Sequence, residues 1–322
     1  MTKMRLLACL AACLLPFAAS AQGSYPDRPI RLVVPFAPGG VTDTSGRVIA
    51  EALSKRLGQQ VIVENKAGAS GNIGTQGVAA APPDGYTLVL GFDGTLVINP
   101  HVFPSIPFDT VKDLAPVGKI GDADLIIVAH PSFPAKTLRE LIDYSKQDPK
   151  GVSYGTSGVG GTPHIAGELL AQQTGAKLVH VPYKGGGQAM ADALGGQIPL
   201  VFTAVAGAQQ HVKSGKLVAI AVSSAKRTSA LPDVPTFIES GVPEFVVSSW
   251  VGILAPAKTP QPIVDRLNRE LNAVLATPEM GEQLGKLGIA ATPGTPDAFG
   301  AQIRADLAKY GKVVKAAGIK AE

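Results

Sequence analysis

Six hydroxyl side chains recur at one kind of place along this chain. Thr42, Ser70, Thr75, Thr95, Ser157 and Thr162 all lie in or beside glycine-rich turns that follow short apolar runs. The first such stretch is Ile30 to Asp43. Ile30, Leu32, Val33 and Val34 read as a buried strand, Pro35 and Pro38 stop it, and Gly39-Gly40 permit a turn with positive φ. Thr42 or Asp43 can cap the helix that follows, whose Val48, Ile49, Ala52, Leu53 and Leu57 recur at helical spacing. A strand that passes through glycine into a helix leaves backbone N–H groups unpaired in a favourable dipole field, which attracts anions. An ordinary first turn of an α/β domain is the plainer reading of that stretch alone. Several such turns, each with a hydroxyl donor, weigh more than one.

The chemistry that could transform a ligand is missing from the pattern. A serine-hydrolase elbow needs Gly-x-Ser-x-Gly, but Gly155 to Val159 ends in valine and Gly68 to Asn72 ends in asparagine. A phosphate-binding P-loop needs Gly-Lys followed by Ser or Thr; Lys184 precedes its glycines, and Gly215-Lys216 is followed by Leu217. His101, His130, His164, His180 and His211 never sit three or four residues apart, so no metal-ligand spacing emerges. His164 stands out only because it lies in the first turn after a glycine loop. Asp122 and Asp124 read as a solvated strand end rather than a catalytic pair. Donors without a nucleophile, base or metal hold a carboxylate; they do little to change it. No cofactor is expected.

The elements that must position these turns alternate. Val61 to Val63 is a second strand, running into Glu64 to Thr75, where Ala69, Ser70 and Asn72 precede a small-residue helix. Tyr86 to Leu90 is a third strand, followed by Asp93 and Thr95. A second series begins at Leu125 to Val128. Thr137 and Glu140 form a capping box, Val152 to Tyr154 leads to the turn Ser157-Gly158 to Thr162, and Pro163 suits a first helical turn. Leu178 to Val181 leads to Tyr183, Lys184 and Gly185; Ile198 to Phe202 is followed by Thr203. From Trp250 onward a strand and two helices return. Repeated strand–turn–helix units mean parallel sheets, which place ligands beyond their carboxyl ends. Two blocks suggest two lobes facing a cleft.

Composition agrees: 37 Gly, 26 Pro and only 5% aromatic residues in 322 suit an α/β architecture. Basic residues are scattered, so no nucleic-acid partner is expected. Lys3 and Arg5 precede an apolar run from Leu6 to Ala19 that ends in Ala19-Ser20-Ala21. This reads as a cleavable signal peptide spanning 1–21, since a membrane span takes roughly 20 apolar residues. Its loss lowers the formal charge from +4 to +2 and removes Cys9 and Cys13, both cysteines of the chain. A lipoprotein box at Leu10 to Cys13 is the alternative. The mature chain is expected in the periplasm, without thiol chemistry or disulfides.

Tyr25-Pro26-Asp27-Arg28-Pro29-Ile30, Val63-Glu64-Asn65-Lys66-Ala67-Gly68, Pro83-Asp84-Gly85-Tyr86-Thr87-Leu88, Val181-Pro182-Tyr183-Lys184-Gly185 and Leu231-Pro232-Asp233-Val234-Pro235-Thr236 together resemble the Bug family of periplasmic solute receptors, the receptors of tripartite tricarboxylate transporters. The resemblance implies a type II periplasmic-binding-protein fold, two lobes with mostly parallel sheets closing on a small carboxylate. Lobe 1 would comprise 22–124 plus 225–322, and lobe 2 would comprise 125–224. Phe36, Gly39, Gly40, Thr42, Asp43, Ala69, Ser70, Asn72, Thr75, Asp93 and Thr95 would form the first side of the site. Ser157, Gly158, Thr162, His164, Tyr183, Lys184, Gly185 and Thr203 would form the second. The partners implied are a small organic carboxylate and the large and small membrane subunits of a transporter, with the receptor itself a monomer.

One position departs from the family pattern. An aspartate commonly follows the strand equivalent to Ile198 to Phe202, and here Thr203 stands there. A neutral threonine cannot pair with a ligand ammonium, so the expected ligand is a di- or tricarboxylate, or an aromatic or aliphatic monocarboxylate. An orphan receptor serving a sensor is the alternative role; an exported enzyme on the same scaffold is disfavoured by the absence of catalytic groups.

Overall fold

The computed structural model describes residues 25–36, 38–39, 41–183 and 186–320. The expected signal peptide, Gly40, Lys184 and Gly185 lie outside the described residues. The chain opens with β1 (Ile30–Val34), α1 (Val41–Leu57), β2 (Val61–Asn65), α2 (Asn72–Ala79), β3 (Thr87–Phe92) and α3 (Asn99–Val102). A 16-residue strand, β4 (Leu114–Ala129), leads to α4 (Leu138–Gln147), β5 (Val152–Thr156), α5 (Thr162–Thr174) and β6 (Leu178–Pro182). Then come α6 (Gly186–Leu194), β7 (Leu200–Ala204), α7 (Val205–Lys213) and β8 (Val218–Val222). The chain returns through β9 (Ser248–Pro256), α8 (Gln261–Leu275), α9 (Pro278–Lys286), β10 (Ile289–Ala291) and α10 (Pro296–Ala317).

The strands form one curled sheet in the order β2-β1-β3-β9-β4-β7-β5-β6, with β8 and β10 also paired to β4. Each end holds the parallel units expected from the alternating pattern: β1 beside β2 and β3, and β5 beside β6 and β7. The strands that join the two ends run antiparallel. β4 is the joint. From Leu114 to Asp124 it pairs with β9, and from Leu125 to Ala129 with β7 and β8. The sheet is therefore more mixed than local periodicity suggests, because β4 changes partners in mid-strand.

Alternation along β1 shows how the halves are built. Ile30, Leu32 and Val34 enter one core with Ile49, Leu53, Leu90, Leu267 and Leu271, while Val33 points to the other face, against Val89 and Val97. The second half has its own core, with Ile126, Val128, Val201, Ala189 and Ala193. The core containing Val33 runs across both halves and takes in Tyr310, Val313 and Val314 of α10. Asp122 and Asp124 are not a strand end. They sit within β4, where Lys119 Nζ lies 2.7 Å from Asp122 Oδ2, and Ser248 and Thr292 donate their hydroxyls to the same carboxylate.

Local signals set several termini. Thr137 accepts from Glu140 N–H in a complete capping box opening α4, and Pro163 occupies the first turn of α5. One glycine is required by close approach. A Cβ on Gly74 would stand 2.6 Å from the Lys66 carbonyl oxygen and 2.9 Å from Pro35 Cα, both backbone atoms that cannot rotate away. Gly74→Ala is expected to destabilise the fold by about 1–3 kcal/mol, the usual cost of overpacking, measured as a lower urea midpoint with unchanged slope.

Candidate functional site

The loop after β1 is held from beneath by a buried carboxylate. Asp43 accepts from Gly39 N–H at 2.9 Å, from Asn65 Nδ2 at 2.8 Å and from Arg47 Nε at 3.1 Å, and Arg47 also reaches its second oxygen at 3.0 Å. The same Asn65 amide donates to Phe36 O. Burial alone would raise the Asp43 pKa; the bonds from Arg47, Gly39 and Asn65 outweigh it and hold the carboxyl below the ordinary range. Asp43 thus fixes the path of the chain from Phe36 into α1. Across the way, Gly158 to Gly161 carries β5 into α5, and Gly160 N–H donates to His164 Nδ1 at 3.1 Å.

These loops border an open cavity of about 610 Å³ between the two halves of the sheet. Phe36, Pro38, Val41, Thr42, Phe92 and Val251 come from one side, and Ser157, Pro163, Thr203 and Ala204 from the other. Ala123, Leu125 and Ser249 lie along the joint, and Leu287 and Ile289 close the wall. A smaller recess of about 180 Å³ continues past Phe36, Phe92 and Ser157 to Ser70, Thr95 and Gly158. An arm of about 480 Å³ runs past Val41 and Thr203 to Gly186, Gly187 and His211. Val41 and Thr42 belong to the first turn of α1, Pro163 to that of α5, and Ala204 is the N-cap of α7. Three helix N-termini therefore border one cavity whose described lining residues carry no ionisable side chain. Their dipoles favour a negative guest.

The residues singled out by sequence divide into three groups. Phe36, Thr42, Ser157 and Thr203 line the main cavity, and Ser70, Thr95 and Gly158 line the adjoining recess. Gly39 and Ala69 lie nearby on exposed turns. The third group points away. Thr75 is buried and donates to Gly71 O, Asn72 accepts from Asn99, and Tyr183 donates its phenol to Asp192. Thr162 gives its hydroxyl to Asp93 at 2.7 Å, and both are buried. His164 is 6% exposed and stacks on His180, ring centroids 3.7 Å apart. A turn hydroxyl can satisfy a buried acceptor as readily as a ligand, so residue type alone does not give its direction.

Val41 and Pro163 lie within the stretches Phe36 to Asp43 and Gly158 to His164 expected to line the site, but sequence reasoning missed the rest of the apolar wall: Phe92, Leu125, Val251, Leu287 and Ile289. These come from separate strands and a helix end, and only the meeting of distant segments makes them one surface. Ser249 was the findable one, a hydroxyl beside the start of a strand.

Comparison with known proteins agrees with this architecture. Residues 46–319 match the family described as tripartite tricarboxylate transporter family receptor. The chain belongs to this family. Protein BugT of Bordetella pertussis, a relative, is 38% identical over 304 residues, spanning 94% of this chain and 93% of its own. Among solved structures, an R. palustris protein with adipate has a TM-score of 0.81 and 34% identity, covering 92% of this chain and 99% of its own. MatC from Rhodopseudomonas palustris with bound malate has a TM-score of 0.77 and 31% identity, covering 90% and 100%. The receptor's fold is thus the two-lobed periplasmic-binding-protein fold. Among the described residues no helix is long and apolar enough to cross a membrane.

Proposed function

We propose that this receptor is exported to the periplasm, captures a small organic carboxylate between its lobes, and delivers it to a membrane transporter with one large and one small subunit. The observation that carries the reading is the convergence of the α1, α5 and α7 N-termini on one cavity whose described lining residues are uncharged. Solved family structures holding adipate and malate support a carboxylate guest. The lobes run over 22–124 plus 225–322 and over 125–224, with the joint where β4 exchanges β9 for β7 and β8. Closure is a hinge motion, stabilised by ligand contacts to both sides. Export by cleavage after Ala21 accounts for the basic-then-apolar N-terminus. Binding without turnover fits a cavity whose described lining side chains are hydroxyls and hydrocarbon.

Mass spectrometry of the native protein from its own periplasm, with calorimetry on the ligand found, tests this. Capture of an organic acid released unchanged is the expected result. Turnover of that acid, or tight binding of amino acids in preference to plain carboxylates, overturns it. Asp43→Ala should weaken carboxylate binding by about 1–2 kcal/mol, because it frees Gly39 N–H and Asn65 and lets the Phe36 to Thr42 loop drift. An unchanged dissociation constant in a folded Asp43→Ala protein means that this loop does not grip the ligand.

A further inference from the structure

The main cavity is lined mostly by hydrocarbon. Phe36 and Phe92 meet edge to face with centroids 5.6 Å apart and form one wall; Leu125, Val251, Leu287 and Ile289 form others. Among the described lining residues the polar side chains are the hydroxyls of Thr42, Ser157, Thr203 and Ser249, and Ser249 already donates its own to Asp93 at 2.8 Å. Resting on the receptor reading above, we infer that the ligand is a monocarboxylate with a bulky apolar body rather than a small di- or tricarboxylate. One carboxylate is served by the hydroxyls of Thr42, Ser157 and Thr203 and by the helix N-termini. A second, at the far end of a short chain, would enter an apolar surround where no cation stands among the described lining residues, and a buried charge without a partner is heavily penalised. Size argues the same way. A four-carbon acid would leave much of 610 Å³ as water against hydrocarbon, whereas an apolar body displaces that water and buries the wall. An aromatic body would also extend the edge-to-face contact of Phe36 and Phe92.

The wall has an identifiable source. Leu287 and Ile289 flank Gly288 at the corner between α9 and β10, and the corner is set by β10 pairing with Gly121 to Ala123 of β4. A Cβ at Gly288 would run into Ala206 of α7, so this corner packs closely on the opposite half of the molecule. Leu287, partly exposed, is therefore a specificity residue. It offers hydrocarbon to the ligand from the first half, at the place where the second half closes over it.

Calorimetry on the mature full chain, freed of endogenous ligand, with benzoate, cyclohexanecarboxylate and octanoate against malate, adipate and citrate tests this. At least one of the first three should bind ten-fold or more tighter than any of the last three. Leu287→Ser should weaken that ligand five- to ten-fold; Val41→Ser, at a half-exposed lining position, gives the same reading should the first variant fail to fold. Tighter binding of malate, adipate or citrate overturns the inference while leaving the carboxylate receptor intact. Binding of none of the six overturns both. Equal affinity of both variants and parent for the apolar acids overturns the role of this wall.

Discussion

Asp93→Asn should gain on the parent protein by about 3–4 kcal/mol of stability between pH 4 and pH 8. Asp93 follows β3 and is fully buried. Its Oδ2 accepts from Thr162 Oγ1 at 2.7 Å and its Oδ1 from Ser249 Oγ at 2.8 Å, two neutral donors from opposite halves of the molecule. Burial pushes its pKa up to about 7; bonds from Thr162, Ser249 and Gly94 N–H only partly oppose this, and the charge of Asp306 adds to the rise. The folded protein therefore keeps its proton where the unfolded chain, with an ordinary carboxyl, has lost it. Protons bound to the folded state in excess mean that stability falls as pH rises, here from about 4 to about 7. A shift of about three units corresponds to about 4 kcal/mol. Asparagine keeps the shape, accepts one hydroxyl and donates to the other, and cannot ionise. Urea unfolding of parent and variant at pH 4, 6 and 8 measures the gap; parallel profiles would mean that Asp93 does not titrate in the folded state. Because Asp93 joins β3 to the first turn of α5, its ionisation also loads the contact across the cleft.

The parts legible in the sequence are those settled within about ten residues of chain. Strand, glycine turn and helix from β1 to α1, from β2 to α2 and from β5 to α5 follow from runs of Val, Ile and Leu stopped by Gly and Pro. The capping box at Thr137 and the first-turn Pro163 are likewise local. Strand β4 is not local. Lys119, Asp122 and Asp124 interrupt its apolar pattern, and their partners Ser248, Thr292 and Gln302 arrive from more than a hundred residues away. The site divides along the same line. Hydroxyls at turns were visible as residue types, but whether Thr42 turns to the cavity or Thr162 to Asp93 depends on which buried acceptor stands opposite. In the sequence His164 reads as a candidate ligand contact and His180 as a lone histidine, with nothing to link them. The parallel pairing of β5 with β6, which sets His180 opposite Tyr154, and the turn into α5 bring the two rings together.

That histidine pair should act in the opposite sense to Asp93, and His164→Asn isolates it. His164 Nδ1 accepts from Gly160 N–H, so the ring is neutral with its proton on Nε2, which lies 3.7 Å from Glu168 Oε1. His180 Nε2 lies 2.7 Å from Thr156 Oγ1, and Tyr154 donates its phenol to Glu168. Burial drives the His164 pKa down to about 3, with the neighbouring His180 charge contributing, and burial drives His180 down to about 4. Glu168 offers little relief, since burial raises its own pKa. The unfolded chain takes up protons near pH 6.5 and the folded one does not, so stability is lost as pH falls from about 6.5 toward 4. At pH 5 this costs about 2 kcal/mol for His164 alone. Asparagine at 164 can place its amide oxygen where Nδ1 stood, keeping the Gly160 bond while removing the titration. The variant should therefore lose about 2 kcal/mol less than the parent between pH 7 and pH 5 in urea unfolding; the same loss in both proteins would put the protons elsewhere. Parent stability alone cannot reveal either group, because the Asp93 gain and the histidine loss overlap between pH 4 and 6.5 and offset one another. The Asp93→Asn and His164→Asn variants separate them, since each removes one of the two opposing pH dependences and leaves the other.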